Sequence, residues 1–192
     1  MKVEIAEAPA AALGAYAAIP SVFEVREVLD VGSAFELSDT SLTRVRTLAL
    51  PAVKNYDASQ DNGPLYWPKR FDLTNWGLLL ARSDSEPIGG AAVVFPADAF
   101  QVAQDQAVLW DLRVSPAARG QGVGTRLLQH AEDWARRRGA RSLGVETQNI
   151  NVPACRFYLH SGFVLVAAVH GAYPEYPDEV KLWLQKRIST AG

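Results

Sequence analysis

The sequence has little of the chemistry that supports a disulfide or a metal centre. Its 192 residues include one cysteine, Cys155, and three histidines. A lone cysteine cannot form an internal disulfide, so nothing indicates an oxidising compartment; we expect a cytoplasmic protein, although a periplasmic protein poor in cysteine would look the same. The histidines have no companion ligands at metal-binding spacing, so we expect no metal. Cys155 falls inside a predicted helix, where we expect a buried apolar role rather than a nucleophile.

Long hydrophobic runs and an excess of one charge are also missing. No segment reaches the roughly 20 apolar residues that a membrane span needs, so we expect no transmembrane helix and no membrane partner. The uncharged stretch Ala8–Phe23 lacks the basic start of a secretory signal, because Glu4 and Glu7 follow Lys2 closely. A net charge of -2 argues against a nucleic-acid partner. The length and ordinary composition predict one domain over residues 1–192.

The hydrophobic pattern predicts both strands and helices. Predicted strands are Lys2–Ala6, Val22–Val31, a stretch around Arg44 and Arg46, Trp76–Arg82, Pro87–Phe95, Ala107–Val114, Ser142–Thr147, Phe163–Val169 and Val180–Leu184. One predicted helix begins near Pro9, and two others span Gly122–Arg138 and Val152–Ser161. The composition of Pro51–Lys69 predicts a loop, and Ser83–Glu86 predicts a hairpin turn. Aromatic residues in or just after that loop, such as Trp67 and Phe71, are interpreted either as one wall of a substrate site or as core or lid packing.

The most informative segment is a strand, a glycine-rich turn and a helix in direct succession. Gly120, Gly122 and Gly124 occupy alternate positions just before the amphipathic helix. Glycine leaves backbone N–H groups unobstructed by a Cβ atom, and a helix N-terminus presents free donors and partial positive charge. The pattern therefore predicts a phosphate-binding turn, and a flexible turn without a ligand is the alternative.

Two other phosphate-binding motifs fit this turn poorly. A Walker A loop needs a lysine before the serine or threonine, whereas Gly124 precedes Thr125 here. A dinucleotide fold gains some support from Glu146, an acidic residue at the end of the next strand. In that fold, however, the first glycine leaves the strand directly, whereas residues 115–119 intervene here.

Two motifs resemble the GNAT family of N-acetyltransferases. Residues 119–124, Arg-Gly-Gln-Gly-Val-Gly, resemble the family's Arg/Gln-x-x-Gly-x-Gly/Ala signature. Residues 151–163 resemble its Asn-x-x-Ala-x-x-x-Tyr-x-x-x-Gly-Phe segment. The two motifs occur in the expected order and cover about residues 107–169. Within the family, residues 146–158 and the late Glu179-Val180 look most like streptothricin acetyltransferases.

The resemblance implies an α/β (α+β) GNAT fold with acetyl-CoA as cosubstrate. The expected fold is a mixed, mostly antiparallel twisted sheet of about six to seven strands with flanking helices, in which the fourth and fifth strands splay apart. The pantetheine arm is expected on the backbone of Leu112, Arg113 and Val114, and also on Asn151, which suits a helix N-cap equally well. The pyrophosphate is expected on amides of the turn: Arg119, Gly120, Gln121, Gly122, Val123, Gly124 and Thr125.

The resemblance also suggests residues for acetyl transfer from a thioester to an amine. Glu146 matches the position of a general-base glutamate in some family members, and Asp111 is the second candidate. For each, the alternative is a carboxylate at a strand end paired with an arginine. Tyr158 is expected to protonate the departing thiolate. The alternative is that its ring only packs the helix on the sheet. A backbone N–H near Val114 is expected to meet the oxyanion.

The function that these observations favour is acetyl-CoA-dependent N-acetylation of a small-molecule amine. A non-catalytic acetyl-CoA-binding regulatory module and a protein or peptide N-acetyltransferase are the alternatives. A homodimer is left open. The loop Tyr173–Glu179 is interpreted either as a source of aromatic and acidic contacts to a cationic acceptor or as a solvated turn.

Overall fold

The computed structural model of the protein describes residues 2–31, 44–58 and 63–188. These residues form nine strands and four α-helices. The strands are β1 (Glu4–Ala8), β2 (Val22–Leu29), β3 (Val45–Asn55), β4 (Trp76–Ser83), β5 (Glu86–Val94), β6 (Gln106–Val114), β7 (Ser142–Gln148), β8 (Val164–Val169) and β9 (Lys181–Arg187). The helices are α1 (Leu13–Ala17), α2 (Trp67–Arg70), α3 (Val123–Arg137) and α4 (Val152–His160).

The chain divides into two compact units that are interleaved along the sequence. The first comprises Met1–Val22, Asn55–Leu143 and Ile188–Gly192, and the second comprises Phe23–Lys54 and Gly144–Arg187. Of the seven strands of the main sheet, β1, β4, β5 and β6 lie in the first unit, and β8, β9 and most of β7 lie in the second. The strand count agrees with the expected six to seven.

In the first unit, the strands run antiparallel in the order β1-β4-β5-β6. Two adjacent glycines of β5 bring helices close to opposite faces, because neighbouring residues of a strand point to opposite sides. A Cβ atom on Gly89 would lie 2.9 Å from the Leu127 side chain of α3, and one on Gly90 would lie 2.5 Å from the ring of Tyr16 in α1. The helices α1 and α3 therefore cover opposite faces of β5.

The core of the first unit on the α1 side is largely aromatic. Trp67 is only 3% exposed, and its ring centroid lies 5.5 Å from that of Tyr16. The buried members of this cluster are Leu13, Tyr16, Ile19, Trp67, Leu78, Leu80 and Ala92. Trp67 is thus a core residue, and the partly buried Phe71 packs against the same cluster. These two residues follow the core interpretation rather than that of a substrate wall.

The second unit contains β7, β9 and β8 in that order, a two-stranded ribbon of β2 and β3, and helix α4. The buried Asn149, just after β7, connects three of these elements. Its backbone N–H donates to the Val180 carbonyl at 3.0 Å, and its side-chain oxygen accepts from the Val180 N–H at 2.8 Å. Its carbonyl accepts from the Leu29 N–H at the end of β2, at 2.9 Å. This one residue, through its backbone and its side chain, therefore aligns β2, β7 and the start of β9.

The sequence prediction was wrong about where β3 ends. The strand continues to Asn55, through the first residues of the predicted loop Pro51–Lys69. Proline lacks an N–H donor and is tolerated where that donor needs no partner, and β3 pairs on one side only, with β2. The same predicted loop also contains the short helix α2. The predicted hairpin is confirmed: Asp84 and Ser85 connect β4 and β5 with φ of 48° and 72°, as a two-residue type I′ turn requires.

None of the helices in the described residues combines the length and the apolar character that crossing a membrane would require.

Candidate active site

The glycine-rich turn has the backbone conformation that its glycines allow. Gly120 and Gly122 have φ of 73° and 78°, a region that other residues enter only with strain. A Cβ atom at either position would meet nothing within 4 Å. Glycine is therefore required at both positions by the backbone angle rather than by crowding.

The turn leads directly into the N-terminus of α3. Gly122 is the N-cap residue and has no side chain that could cap the helix. The first turn of the helix contains no acidic residue. The helix ladder begins with the Arg126 N–H, which donates to the Gly122 carbonyl at 3.1 Å. The amides ahead of it, on Val123, Gly124 and Thr125, are the donors that a helix start leaves without an intrahelical acceptor. They form a site that suits a phosphate.

The Arg119 side chain holds the turn against neighbouring backbone. Its Nε donates to the Val114 carbonyl at 3.0 Å, and its Nη2 donates to the Val22 carbonyl at 2.6 Å. Burial lowers the pKa of Arg119. Nearby, Gln121 Nε2 donates to the Ala117 carbonyl at 2.9 Å. Both side chains therefore stabilise the shape of the turn. The backbone of Val114 is expected to bind the pantetheine arm, and its carbonyl already accepts one hydrogen bond, from Arg119.

Strand β6 carries a bulge just before the residues expected to bind pantetheine. Ala92 of β5 pairs with Asp111, whereas Val93 pairs with Leu109, so Trp110 has no partner on β5. A bulge re-aims the residues that follow it and is common beside active sites. Asp111 and Arg113 then occupy alternate positions on one face of the strand.

Arg113 is the centre of a buried ionic network in the first unit. Its side chain is 4% exposed. Nε donates to Asp111 Oδ2 at 2.7 Å, and Nη1 donates to Asp57 Oδ1 at 3.1 Å and to the Ile19 carbonyl at 3.0 Å. Burial opposes the charge on Arg113, but the two carboxylates outweigh it, and its pKa is raised above the ordinary value. The guanidinium thus remains charged and joins α1, β6 and the segment after β3.

Tyr16 completes this network. Its hydroxyl donates to Asp111 Oδ2 at 2.7 Å. Burial raises the pKa of Tyr16, and the adjacent Asp111 carboxylate raises it further. The phenol therefore stays protonated and remains a donor. Because Oδ2 of Asp111 accepts from both Tyr16 and Arg113, the geometry matches the paired-carboxylate interpretation of Asp111.

The second unit contains the other proposed catalytic residues. Glu146 lies on β7 with its side chain 39% exposed. Its Oε1 accepts a hydrogen bond from the Tyr173 hydroxyl at 2.8 Å, and its Oε2 lies 3.0 Å from Lys181 Nζ. Both oxygens of this carboxylate are therefore oriented by side chains from other elements.

Helix α4 carries Asn151, Cys155 and Tyr158. Asn151 is the N-cap, and its side-chain oxygen accepts from the Ala154 N–H at 3.2 Å, which confirms the capping interpretation. Tyr158 is 6% exposed, and its ring lies 5.5 Å from that of Phe163. Cys155 is fully buried, and burial raises the pKa of its thiol to about 12. Cys155 thus has the buried role that the sequence predicts.

Sequence reasoning missed four residues of these networks: Tyr16, Asp57 and, as partners of Glu146, Tyr173 and Lys181. Tyr16 and Asp111 are 95 residues apart in sequence, and Asp57 and Arg113 are 56 apart. Spacing carries no signal for contacts over such separations. The sequence could have predicted the pair of Asp111 and Arg113, since opposite charges at alternate positions of a strand lie on the same face.

In the part of the chain that the structure describes, no three histidine, cysteine, aspartate or glutamate residues are grouped so that they could hold a metal ion. The second unit has a surface cavity of about 340 Å³. It is lined by Glu24, Arg26, Glu27, Thr47, Leu48, Pro51, Ile150, Val152 and Pro153. None of the residues predicted to bind acetyl-CoA or to be catalytic lines it.

Comparison with known proteins identifies the family. Residues 45–163 match the acetyltransferase (GNAT) family model. The chain belongs to the GNAT family. The predicted resemblance and fold class are thereby confirmed.

Among its relatives, this GNAT protein is 32% identical to a streptothricin acetyltransferase of Escherichia coli over 146 residues, which cover 74% of this chain and 71% of the relative. This chain is also 39% identical to a streptothricin acetyltransferase of Streptomyces lavendulae over 69 residues. The match covers 36% of each chain, so this chain spans about a third of the length of that relative. A Bacillus anthracis str. Ames protein solved with acetyl coenzyme A shares the fold, with a TM-score of 0.77 and 24% identity over 98% of this chain and all of the other.

Replacement of Arg113 tests the ionic network. In Arg113→Met, Asp111 and Asp57 lose their buried counter-ion, and we expect the free energy of unfolding to fall by about 3–5 kcal/mol. Urea denaturation measures this change. The control is Arg26→Met, which removes an exposed pair with Glu24 and should cost less than about 1 kcal/mol. Similar losses in both variants would contradict a dominant role for the network.

Thiol labelling tests the environment of Cys155. A buried thiol with a pKa of about 12 is almost entirely protonated at pH 8, so we expect negligible labelling by a disulfide reagent in the native protein. In denaturant, one thiol per chain should react, because the sequence has one cysteine. Complete labelling of the native protein within minutes would contradict the buried assignment.

Proposed function

We propose that this protein is an acetyl-CoA-dependent N-acetyltransferase that acts on a primary amine of a small molecule. The observation that carries the proposal is the turn that contains Gly120 and Gly122. Both glycines have positive φ angles, and the turn leads into the N-terminus of α3, which has no side-chain cap. Such a turn can approach a diphosphate closely, because no Cβ atom stands in front of its amides. The cytoplasmic location and a single-domain organisation remain part of this proposal.

In the first unit, we propose that amides of the segment Arg119–Thr125 bind the pyrophosphate of acetyl-CoA. The backbone of Leu112, Arg113 and Val114 is proposed to bind the pantetheine arm. The bulge at Trp110 supports this role, since it shifts the register with β5 just before these residues and so re-aims the backbone that follows it. Asn151, already an N-cap, is proposed to contact the same arm.

The reaction needs a base because an ordinary alkyl amine is protonated at pH 7. With a reference pKa of about 10.4, freeing its lone pair costs about 4.6 kcal/mol. We propose Glu146 as the base that accepts the amine proton, since its side chain is partly exposed. Asp111 ranks second, because its Oδ2 already accepts hydrogen bonds from Arg113 and Tyr16.

The remaining steps transfer the acetyl group and dispose of the leaving group. The amine nitrogen bonds to the thioester carbonyl carbon, and the carbon–sulfur bond breaks. We propose that a backbone N–H near Val114 stabilises the oxyanion and that Tyr158 donates a proton to the thiolate.

A streptothricin-like antibiotic or a related amine is the proposed acceptor. The support is the relationship to streptothricin acetyltransferases, which reaches 74% of this chain in the Escherichia coli relative. Two alternatives are separable by experiment. Tight acetyl-CoA binding without turnover over a broad amine panel would favour a regulatory binding module, and turnover with peptides alone would favour a peptide N-acetyltransferase.

Gly122→Ala tests the phosphate-binding turn. Holding alanine at a φ of 78° should cost about 1–2 kcal/mol of stability, and relaxation of the turn should weaken coenzyme A binding about tenfold. Isothermal titration calorimetry and thermal unfolding measure the two effects. Gly14→Ala is the control, since a Cβ atom there meets nothing within 4 Å, so affinity should be unchanged. Unaltered affinity in Gly122→Ala would argue against the turn as the diphosphate site.

Glu146→Gln and Tyr158→Phe test the proposed acid–base residues. We expect kcat in a thiol-release assay to fall about 100-fold or more in each variant, while coenzyme A affinity is retained. The control Glu24→Gln alters an exposed carboxylate of the same unit and should keep full activity. Full activity of Glu146→Gln would reject Glu146 as the base.

A further inference from the structure

A short chain of hydrogen bonds in the second unit ends at Glu146. Gln148 Nε2 donates to the Tyr173 hydroxyl oxygen at 3.0 Å, and the Tyr173 hydroxyl donates to Glu146 Oε1 at 2.8 Å. Glu146 and Gln148 are two residues apart on β7 and therefore point to the same side of the strand. Tyr173 reaches this side from the segment between β8 and β9, so its contact with Glu146 is tertiary rather than local.

The chemistry of the amide fixes the direction of this chain. The amide nitrogen of Gln148 can only donate, so the hydroxyl oxygen of Tyr173 accepts from it. The single phenolic proton of Tyr173 is then directed to Glu146. A donor aimed at a carboxylate stabilises the ionised form, which is the form that can act as a base.

Lys181 holds the other oxygen of the same carboxylate. It lies at the start of β9, the neighbour of β7, and its Nζ is 3.0 Å from Glu146 Oε2. Tyr173 and Lys181 are the charged or titratable partners of Glu146 within this unit. Because each oxygen has a different partner, rotation of the carboxylate would break at least one contact.

The segment that carries Tyr173 is itself anchored to the ribbon. Lys54, near the end of β3, lies 2.6 Å from Glu179 Oε1, and its Nζ is 3.4 Å from the ring centroid of Tyr176. The side chains of Lys54 and Glu179 are 16% and 12% exposed, so this pair is shielded from water. The loop is therefore held at Tyr173 by β7 and at Tyr176 and Glu179 by β3.

We propose that Tyr173 is a positioning residue that orients the Glu146 carboxylate for proton transfer from the acceptor amine. This inference rests on the proposed function, in which Glu146 is the base. Tyr173 acts through Glu146 and need not touch either substrate. The proposal gives the loop Tyr173–Glu179 a role that its composition alone left open between a substrate contact and a solvated turn.

Tyr173→Phe removes the donor and keeps the ring. We expect kcat to fall about 3- to 10-fold with KM changed less than twofold, because the base is less well oriented while binding is retained. Tyr176→Phe is the matched control in the same loop; it keeps the ring over Lys54 and should leave kcat and KM unchanged.

A double-mutant cycle with Glu146→Gln separates a positioning role from a structural one. If Tyr173 acts through Glu146, adding Tyr173→Phe to Glu146→Gln should lower kcat by less than twofold. Circular dichroism and thermal unfolding establish that the variants are folded.

The outcomes for the inference and for the proposed function differ. An unchanged kcat in folded Tyr173→Phe, or a full additional loss in the Glu146→Gln background, would overturn the positioning role. No turnover by the wild-type protein would instead overturn the proposed function, and full activity of Glu146→Gln would reject Glu146 as the base and the positioning role with it.

Discussion

A guanidinium group removed from water must be surrounded by acceptors, and this requirement organises the first unit. Arg113 is 4% exposed and is satisfied by Asp111, by Asp57 and by the Ile19 carbonyl. Removing any one acceptor would leave part of a buried charge uncompensated. The end of α1, the segment after β3 and the bulged strand β6 are therefore held together by one side chain. The backbone proposed to bind pantetheine belongs to that same strand.

The hydrogen-bond partners of Asp111 and Glu146 suit these two carboxylates to different roles. Asp111 is the counter-ion of Arg113 and also accepts from Tyr16, so its Oδ2 is saturated with donors. Glu146 has one partner on each oxygen, and its side chain is 39% exposed. A base needs an oxygen that can exchange a donor for the proton of the substrate. Environment rather than residue type thus separates the structural carboxylate from the proposed base.

Sequence reasoning succeeded where structure is local. Helix α3 begins within a residue of its predicted start because glycine conformation and helix capping are decided by adjacent residues, and α4 begins at Val152 for the same reason. It failed in β3, where proline composition suggested a loop but pairing on one side only tolerates Pro51. The partners Tyr16 and Asp57 lie far from β6 in sequence, and only the tertiary fold brings them to Arg113.

The loop after β8 illustrates why the composition of a segment does not determine its role. Its aromatic and acidic residues suit a cationic ligand, yet the ammonium that Tyr176 and Glu179 contact belongs to Lys54 of the same chain. Because that pair is shielded from water, its geometry is better defined than that of an exposed ion pair. The loop can then present Tyr173 to Glu146 in a fixed orientation. A hydrogen bond can orient a base only when its donor is itself held in place, and the donor to the proposed base is held here by Gln148 and by the Lys54 anchor.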